Sequence, residues 1–168
     1  LVQERTTTPD DPDWFKQSDM TLINAPDAWD TSTGGLTANG DTIVVAVMEK
    51  GALLTHPDLV PNRWWNWKDT PNDGIDNEGN GYIDDFGGWN PANENDDTGN
   101  NGAHGTGVYG IIGAAGDNNV GVAGVNWNVK MMNLSGVDTD IDIIAACEYV
   151  FKMRRLYNES NGQKGAFV

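Results

Sequence analysis

A histidine followed by regularly spaced glycines is the feature that most constrains how this chain can fold. Residues 102–115 read Gly-Ala-His-Gly-Thr-Gly-Val-Tyr-Gly-Ile-Ile-Gly-Ala-Ala. The apolar part of this stretch, residues 108–115, has the length and composition of a buried helix, and the polar residues 100–102 before the histidine indicate a turn. The pattern therefore predicts that His104 lies at the N-terminus of a helix.

Three of the glycines recur on one face of that predicted helix. Gly107, Gly110 and Gly113 are spaced by three residues, and each costs about 1 kcal/mol relative to alanine in a helix interior. Such a cost indicates that another backbone comes close to this face. A β-sheet beneath the helix would provide that backbone.

The strands of the sheet are indicated by apolar runs on either side of the histidine. Residues 42–48 form a continuous, largely β-branched run, which is typical of a parallel strand buried on both faces. Glu49 follows directly, at the carboxyl edge where open α/β sheets place their working residues. Residues 129–134 predict a second strand, and residues 165–168 predict the start of another. The alternation predicts an α/β fold with a mostly parallel, doubly wound sheet and helices on both faces.

A long helix is predicted between the last two of these strands. Residues 140–156 carry apolar side chains at helical spacing, which predicts one buried face. That face is predicted to consist of Ile143, Ile144, Cys147, Val150 and Phe151. Cys147 is the only cysteine, so no internal disulfide is possible and we expect it to be buried in the packing of this helix.

These motifs resemble those of the subtilisin-like serine proteases, the subtilases. Residues 8–12 and 23–29 resemble the amino-terminal segment of the thermitase-like group in particular. His104-Gly105-Thr106 resembles the family's histidine motif, although Gly107 replaces a frequent second histidine and Tyr109 replaces a small residue. Residues 45–51, with His56-Pro57-Asp58-Leu59 after them, resemble the strand that carries the catalytic aspartate. Glu49 occupies that position here, and His56 is interpreted as structural.

The resemblance implies the amino-terminal part of a serine endopeptidase. His104 would be the general base, and Glu49 would hold its imidazole, so we expect the two side chains to meet within hydrogen-bonding reach. The additional methylene of glutamate displaces the carboxylate by about 1.5 Å, a shift large enough to affect the rate. The alternative is a catalytically inactive, calcium-binding homologue.

The nucleophile is not apparent in these residues. In the family the oxyanion asparagine and the serine come later in the chain, and none of Ser18, Ser32, Ser135 and Ser160 has a glycine-serine context. This chain alone is therefore predicted to be inactive, with the carboxyl-terminal remainder of the catalytic domain as a partner. Residues 1–168 are interpreted as the amino-terminal part of one domain, with a surface-wrapping arm at 1–40, a core at 41–168 and an acidic insertion near 72–87.

The charge of the chain limits its partners. Twenty-five acidic and ten basic residues give a formal net charge of -15, which argues against nucleic acids and anionic membranes and favours cations. The first five residues lack the features of a signal peptide, so the start is interpreted as internal to a longer precursor. The resemblance implies a secreted protein with a protein or peptide substrate.

The acidic insertion has the spacing of a calcium loop. Asp76, Glu78, Asn80, Tyr82 and Asp84 stand at positions one, three, five, seven and nine of an EF-hand-type pattern. Position twelve is Gly87, so Asp85 or another residue would have to complete the shell. A solvated acidic loop is the alternative. The preceding tryptophans at positions 64, 65 and 67 are predicted to pack rather than to form a ligand platform.

A second calcium site is implied by the segment after the histidine helix. Residues 116–125 read Gly-Asp-Asn-Asn-Val-Gly-Val-Ala-Gly-Val, which resembles the subtilase calcium loop. The resemblance implies a shell that would clamp the amino-terminal arm to the core, and the alternative is a turn followed by an ordinary strand. The implied ligands are Asp11, Asp58, Gly116, Asn118, Val120 and Val122.

Overall fold

The structure is a computed structural model that describes residues 7–97, 99 and 102–168. The turn predicted at residues 100 and 101 lies outside the described residues. The helices are α1 (Ser18–Leu22), α2 (Ala25–Trp29), α3 (Ala103–Gly113) and α4 (Asp140–Glu159), with short 3₁₀ turns at Trp14–Lys16 and Val60–Asn62, and the strands are β1 (Val44–Met48) and β2 (Lys130–Leu134).

The two strands form a parallel pair that neighbouring segments widen. Val44 lies opposite Lys130, and Met48 lies opposite Leu134. Single parallel bridges add Arg63 and Trp89 beside β2 and Phe167 beside β1. The N–H of Val44 donates to the carbonyl of Phe167 at 3.0 Å, so the segment predicted to begin another strand does run alongside β1.

Helices cover both faces of this sheet, as the apolar runs predicted. On one face Val44, Met132 and Leu134 pack with α4. On the other face Val47 and Met131 pack with α3. Successive side chains of a strand point to opposite faces, so one continuous apolar run supplies both layers.

The glycines of α3 have different neighbours. A Cβ on Gly113 would lie 2.8 Å from the Val129 side chain, and one on Gly105 would lie 2.2 Å from the carbonyl oxygen of Gly51. Close approach is therefore found at Gly113, although the neighbours there are side chains of the sheet and not the backbone that was predicted. At Gly107 the prediction is wrong, because a Cβ there would meet nothing within 4 Å, and at Gly110 the nearest atom, on Val122, is 4.0 Å away.

The predicted buried face of α4 is right only at Val150, which packs against the core, and is wrong at its other members. Ala146, Tyr149 and Met153 are fully buried, whereas Ile144 and Phe151 are 59% and 69% exposed. Cys147 is also exposed, contrary to its predicted packing role. The helix starts with a capping box: the Thr139 hydroxyl accepts from the N–H of Asp142, and the Asp142 carboxylate accepts from the N–H of Thr139. It runs three residues beyond the predicted end.

The amino-terminal arm contains the two short helices α1 and α2. Met20, Trp29 and Trp127 form a separate apolar cluster, and Gln17 bonds both the N–H and the carbonyl of Ala123. These contacts fasten the arm to the segment that follows α3. Within the described residues, no helix is both long and apolar enough to cross a membrane.

Candidate active site

Glu49 and His104 meet at the carboxyl edge of the sheet. Glu49 directly follows β1, and its N–H still donates to the carbonyl of Leu134 at 3.0 Å. His104 is the second residue of α3. The Nδ1 atom of His104 lies 3.0 Å from the Oε2 atom of Glu49, with the histidine side chain 83% exposed and the glutamate side chain 16% exposed.

Two features of the helix start set this contact. Gly105 lets α3 approach the Gly51 carbonyl more closely than any side chain would permit. The Thr106 hydroxyl accepts from the N–H of Leu53 at 2.9 Å and donates to the Gly102 carbonyl at 2.8 Å. The Gly-Thr pair after the histidine thus ties the start of α3 to the segment that follows Glu49.

The arrangement suits an imidazole that works as a base. A carboxylate at Nδ1 holds the proton on that nitrogen, which leaves Nε2 as the acceptor. Because the ring is exposed, Nε2 can face a group supplied from outside the described residues. The negative charge of Glu49 would also stabilise the imidazolium formed when Nε2 takes up a proton.

Sequence reasoning did not identify the contacts of Tyr109 beneath this site. Its hydroxyl lies 2.9 Å from Oδ1 of Asn133 and 3.3 Å from the carbonyl of Val47. Burial raises the pKa of Tyr109, so the hydroxyl is neutral and acts as a donor. The only sequence signal was a large residue at a position where the family usually has a small one.

Two predicted residues of the acidic insertion converge with a third carboxylate that was not predicted. Carboxylate oxygens of Asp69, Glu78 and Asp85 lie within 4.8 Å of one another, and all three residues are buried. Among the described residues, both oxygens of Asp69 and the Oε2 atom of Glu78 find no hydrogen-bond partner. Buried carboxylate oxygens without partners are costly, so this donor set fits a hard cation such as calcium. Asp69 lies outside the predicted loop and was missed.

Neighbouring polar groups support this carboxylate cluster. Nδ2 of Asn66 contacts both Glu78 and Asp85, and Nδ2 of Asn80 donates to both of them. The Tyr149 hydroxyl of α4 donates to Asp85 at 2.8 Å. Burial raises the pKa of Asp85 to about 7, and burial also raises the pKa values of Asp69 and Glu78.

The remaining predicted ligands of the loop have other partners. The Asp76 carboxylate accepts from the N–H groups of Asn80 and Gly81, and the Asp84 carboxylate accepts from those of Asp73 and Gly74. Tyr82 packs edge-on against Trp89 and Tyr149. Asp76 and Asp84 therefore shape the loop backbone, while Glu78, Asn80 and Asp85 gather with Asp69.

Several residues implied for the arm-to-core site lie close together in the fold. Asp58 is buried, and its two carboxylate oxygens accept from the Asn118 side chain at 3.0 Å and from the Val122 N–H at 2.9 Å. Asp11 is buried and accepts from the N–H of Asp117 at 2.8 Å, and its Oδ1 atom has no partner in the part of the chain that the structure describes. Burial raises the pKa of Asp11.

The other implied members of this site line the same loop. The N–H of Val120 donates to Oδ1 of Asn118 at 2.7 Å, and Gly116 lies against Trp127. The Nδ1 atom of His56 accepts a hydrogen bond from the N–H of Asp58. This contact agrees with the interpretation of His56 as a structural residue.

Known proteins resemble both the sequence and the fold. A model of the Subtilase family matches residues 40–167. Subtilisin-like protease 1 of Plasmodium berghei is 37% identical over 99 residues, which are 58% of this chain and 16% of that protein. Halolysin of Haloferax mediterranei is 29% identical over 152 residues, which are 88% of this chain and 25% of that protein. The chain thus spans a minor part of these relatives.

Solved structures agree with the sequence matches. A protease of Pseudoalteromonas arctica superposes with a TM-score of 0.55 at 25% identity, over 86% of this chain and 44% of that one. The serine protease of Aeromonas sobria, solved with a chaperone, superposes with a TM-score of 0.50 over 74% of this chain and 18% of that one, at 24% identity. The fold is therefore the α/β fold of subtilisin-like proteases, and the chain belongs to the subtilase family.

Proposed function

We propose that the chain supplies the acid and the histidine of a secreted serine endopeptidase, in which Glu49 and His104 are catalytic. The observation that carries this proposal is the 3.0 Å contact between Glu49 and His104 at the carboxyl edge of the sheet. Residues 1–168 would form the amino-terminal part of a single catalytic domain, with residues 1–40 as its arm. The substrate is a protein or peptide, and the carboxyl-terminal remainder of the domain is the second partner.

In the proposed reaction the Nε2 atom of His104 takes the proton of a serine hydroxyl as its oxygen attacks the scissile carbonyl. The same nitrogen then gives that proton to the leaving amine. Glu49 remains ionised, keeps the imidazole in one orientation and stabilises its protonated form. The serine and the oxyanion donors come from the carboxyl-terminal remainder.

The competing proposal is an inactive, calcium-binding homologue that retains the scaffold. This alternative is suggested by Glu49, because a glutamate at the position of the family's catalytic aspartate can fail to orient the histidine. The contact with His104 favours the enzyme, since a side chain freed from its role has no reason to keep this geometry. The exposure of the imidazole favours it as well.

The two proposals can be distinguished with a longer form of the protein that extends past Val168. The enzyme should hydrolyse a protein substrate, and the inactive homologue should not. We expect the longer form to cleave an unfolded protein substrate, and we expect His104→Ala to reduce kcat on the order of 10⁶-fold, as loss of a triad histidine does in this family. His56→Ala is the matched control, because His56 is the other histidine of the chain. Equal activity of the two variants would exclude the role of His104, and no activity in any form would favour the homologue.

We also propose that calcium is bound by the carboxylate cluster of Asp69, Glu78 and Asp85, with Asn80 beside it. The partnerless oxygens of Asp69 and Glu78 support this placement. Bound calcium would neutralise the mutual repulsion of these buried carboxylates. Asp76, Tyr82 and Asp84 would then contribute by shaping the loop.

Thermal unfolding with calcium and with a chelator tests this placement. Calcium at a hundred times its dissociation constant contributes about 2.7 kcal/mol, which corresponds to roughly 5–10 °C in a chain of this size. We expect Asp69→Asn to reduce the calcium response, and we expect Glu148→Gln, an exposed carboxylate of α4, to leave it unchanged. A full response in Asp69→Asn would place the ion elsewhere.

A second calcium ion is proposed between the arm and the loop after α3. Its ligands are Asp11, Asp58 and Asn118, with the carbonyls of Gly116, Val120 and Val122. The partnerless Oδ1 atom of Asp11 supports this assignment. The arm would then be protected from added protease in calcium and become sensitive in a chelator, and protection that is indifferent to calcium would argue against the site.

A further inference from the structure

A cleft of about 670 Å³ opens at the amino-terminal edge of the sheet, opposite the edge that carries Glu49. It is bordered by the starts of four neighbouring strand segments, near residues 44, 63, 130 and 166. We call it the basic cleft. The side chains that define it are Arg63, Lys68, Lys130, Lys164, Trp65 and Trp67.

The charge of the basic cleft is opposite to that of the molecule. Four cations line it in a chain whose formal net charge is -15. The single acidic residue of its lining is Asp41, which already binds the hydroxyls of Tyr157 and Thr37. Within the described part of the chain, the ion pairs of lysine and arginine involve Lys16, Lys50 and Arg155, none of which lines the basic cleft.

Two of the four cations are partly withdrawn from water, and neither forms an ion pair with a carboxylate of the described residues. Burial lowers the pKa values of Arg63 and Lys130. Arg63 stacks on the Trp65 ring at 3.9 Å, and Lys130 donates to the Pro61 carbonyl. A stacked guanidinium keeps its donors at the ring edge, where an incoming carboxylate can bind them.

An exposed aromatic ring completes the basic cleft. Trp67 was predicted to pack, yet it is 75% exposed. Its ring is held edge-on by Phe86 at a centroid distance of 5.4 Å. The remaining ring surface is therefore fixed in position and open to a ligand.

We propose that the basic cleft binds an acidic, extended peptide segment of another protein. The peptide is expected to carry acidic side chains, because the cations of the basic cleft have no ion-pair partner among the described residues and attract carboxylates. Four strand segments span about 14 Å at a strand spacing of about 4.8 Å, which is the length of about four extended residues. The apolar lining by Val44, Pro61 and Ala166 favours a peptide over a polysaccharide, since a peptide brings apolar side chains between its carboxylates.

This proposal is independent of catalysis, because the basic cleft lies at the edge of the sheet opposite Glu49. Long-range electrostatics oppose it, since the whole chain repels an acidic peptide. Measured binding would therefore report the local charge of the cleft and not the charge of the whole protein.

Fluorescence anisotropy of a labelled peptide with alternating glutamate and leucine residues tests the proposal on the purified chain. We expect saturable binding at 50 mM salt that weakens at 200 mM salt. Lys68→Glu should weaken binding roughly 3- to 10-fold, the range of one exposed ion pair together with the repulsion that replaces it. Trp67→Ala should weaken it about 5-fold by removing the exposed ring.

Matched controls separate the basic cleft from general effects. Lys16→Glu makes the same change of charge on the arm, and Phe15→Ala removes another exposed ring, 78% exposed. Both should bind as the unmodified chain does, and circular dichroism should show the same fold in all four variants. Absence of binding, equal weakening by the controls, or tighter binding of a sulfated oligosaccharide than of the peptide would overturn the proposal.

Discussion

Glu49 differs from an aspartate by one methylene, and at that position the difference is directly testable. Its carboxylate reaches Nδ1 of His104 at 3.0 Å from the end of β1. We expect Glu49→Ala to reduce kcat of a longer, active form on the order of 10⁴-fold, as loss of the triad acid does in this family. Glu49→Asp should be milder, because it keeps the charge and shortens the reach.

Steady-state hydrolysis by the three proteins, measured at one pH with the same peptide, checks this expectation. Circular dichroism establishes that the variants are folded. Substantial and equal kcat values in all three would show that Glu49 does not orient the base.

Substitution by alanine is expected to have opposite effects on the free energy of unfolding at Gly105 and at Gly107. Gly105→Ala would place a Cβ 2.2 Å from the Gly51 carbonyl, so the start of α3 must shift, and we expect a loss of about 1–3 kcal/mol. Gly107→Ala meets nothing within 4 Å, and alanine is favoured in a helix by about 1 kcal/mol. Urea unfolding of the two variants measures both values, and a Gly107→Ala variant as unstable as Gly105→Ala would contradict the local geometry.

The sequence predicted that the Glu49 and His104 side chains would meet. It did not predict which backbone positions allow α3 to come close enough for that contact. Glu49 follows a strand and His104 opens a helix, so their convergence follows from the order of elements. The difference between Gly105 and Gly107 does not, because it depends on how far α3 stands from residue 51. Asp69 was missed for a similar reason: it reaches the carboxylate cluster only through the fold of the chain after Trp67.

The elements are joined at their ends by polar contacts, of which the pair of Asp41 and Tyr157 is an example. Asp41 precedes β1 and Tyr157 lies in the last turns of α4. The hydrogen bond from the Tyr157 hydroxyl, with a second one from Thr37, lowers the pKa of Asp41 below its ordinary value of 3.8. A carboxyl group with a lowered pKa in the folded state stabilises the fold above pH 3.8, and this contribution is lost as the pH falls through the lower, folded value.

We therefore expect Tyr157→Phe to lower Tm at pH 7, and we expect its difference from the unmodified chain to shrink as the pH falls below about 4. Tyr82→Phe is the control, because the Tyr82 side chain makes only ring contacts among the described residues. Thermal melts between pH 3 and pH 7 give the difference. A constant difference over that range would mean that the hydroxyl acts without the Asp41 charge.

The faces of α4 show where an apolar pattern is ambiguous. The helix carries one set of apolar residues at 146, 149 and 153 and another at 141, 144 and 151, and both sets have helical spacing. The face predicted from the sequence took Ile144 and Phe151 from the second set and added Ile143, Cys147 and Val150, which belong to neither set. The structure buries the set that contains Tyr149, whose hydroxyl binds Asp85, and that preference depends on a partner far away in the sequence.

For the whole molecule, the direction of the chain across the sheet determines where further layers can form. The chain passes from β1 through α3 to β2, then returns through α4 to the segment beside β1 at Phe167. Parallel connections are nearly always right-handed. Reversing direction after β2 therefore places α3 and α4 on opposite faces, and a further strand continuing outward past Phe167 would place its own helix on the face of α4.

The exposed apolar side of α4 gives this topology a measurable consequence. Ile141, Ile144 and Phe151 are 78%, 59% and 69% exposed, and Cys147 lies among them and is exposed. If the carboxyl-terminal remainder adds a helix beside α4, it should cover part of this surface. Ile144→Lys should then change the free energy of unfolding of the 168-residue chain by no more than about 0.5 kcal/mol, yet destabilise the longer form by several times that amount, because a buried charge without a partner is costly.

Urea unfolding of both forms measures this difference, with Leu22→Lys as the control because Leu22 is an apolar residue of α1 that is 85% exposed. Labelling of Cys147 by a thiol reagent provides a second measurement that does not depend on the substitution. The reagent should react readily with the 168-residue chain and at least about tenfold more slowly with the longer form, in which only local opening of about 1.4 kcal/mol or more would expose the sulfur. Equal labelling rates, together with equal effects of Ile144→Lys in both forms, would mean that the remainder leaves this face of α4 in water.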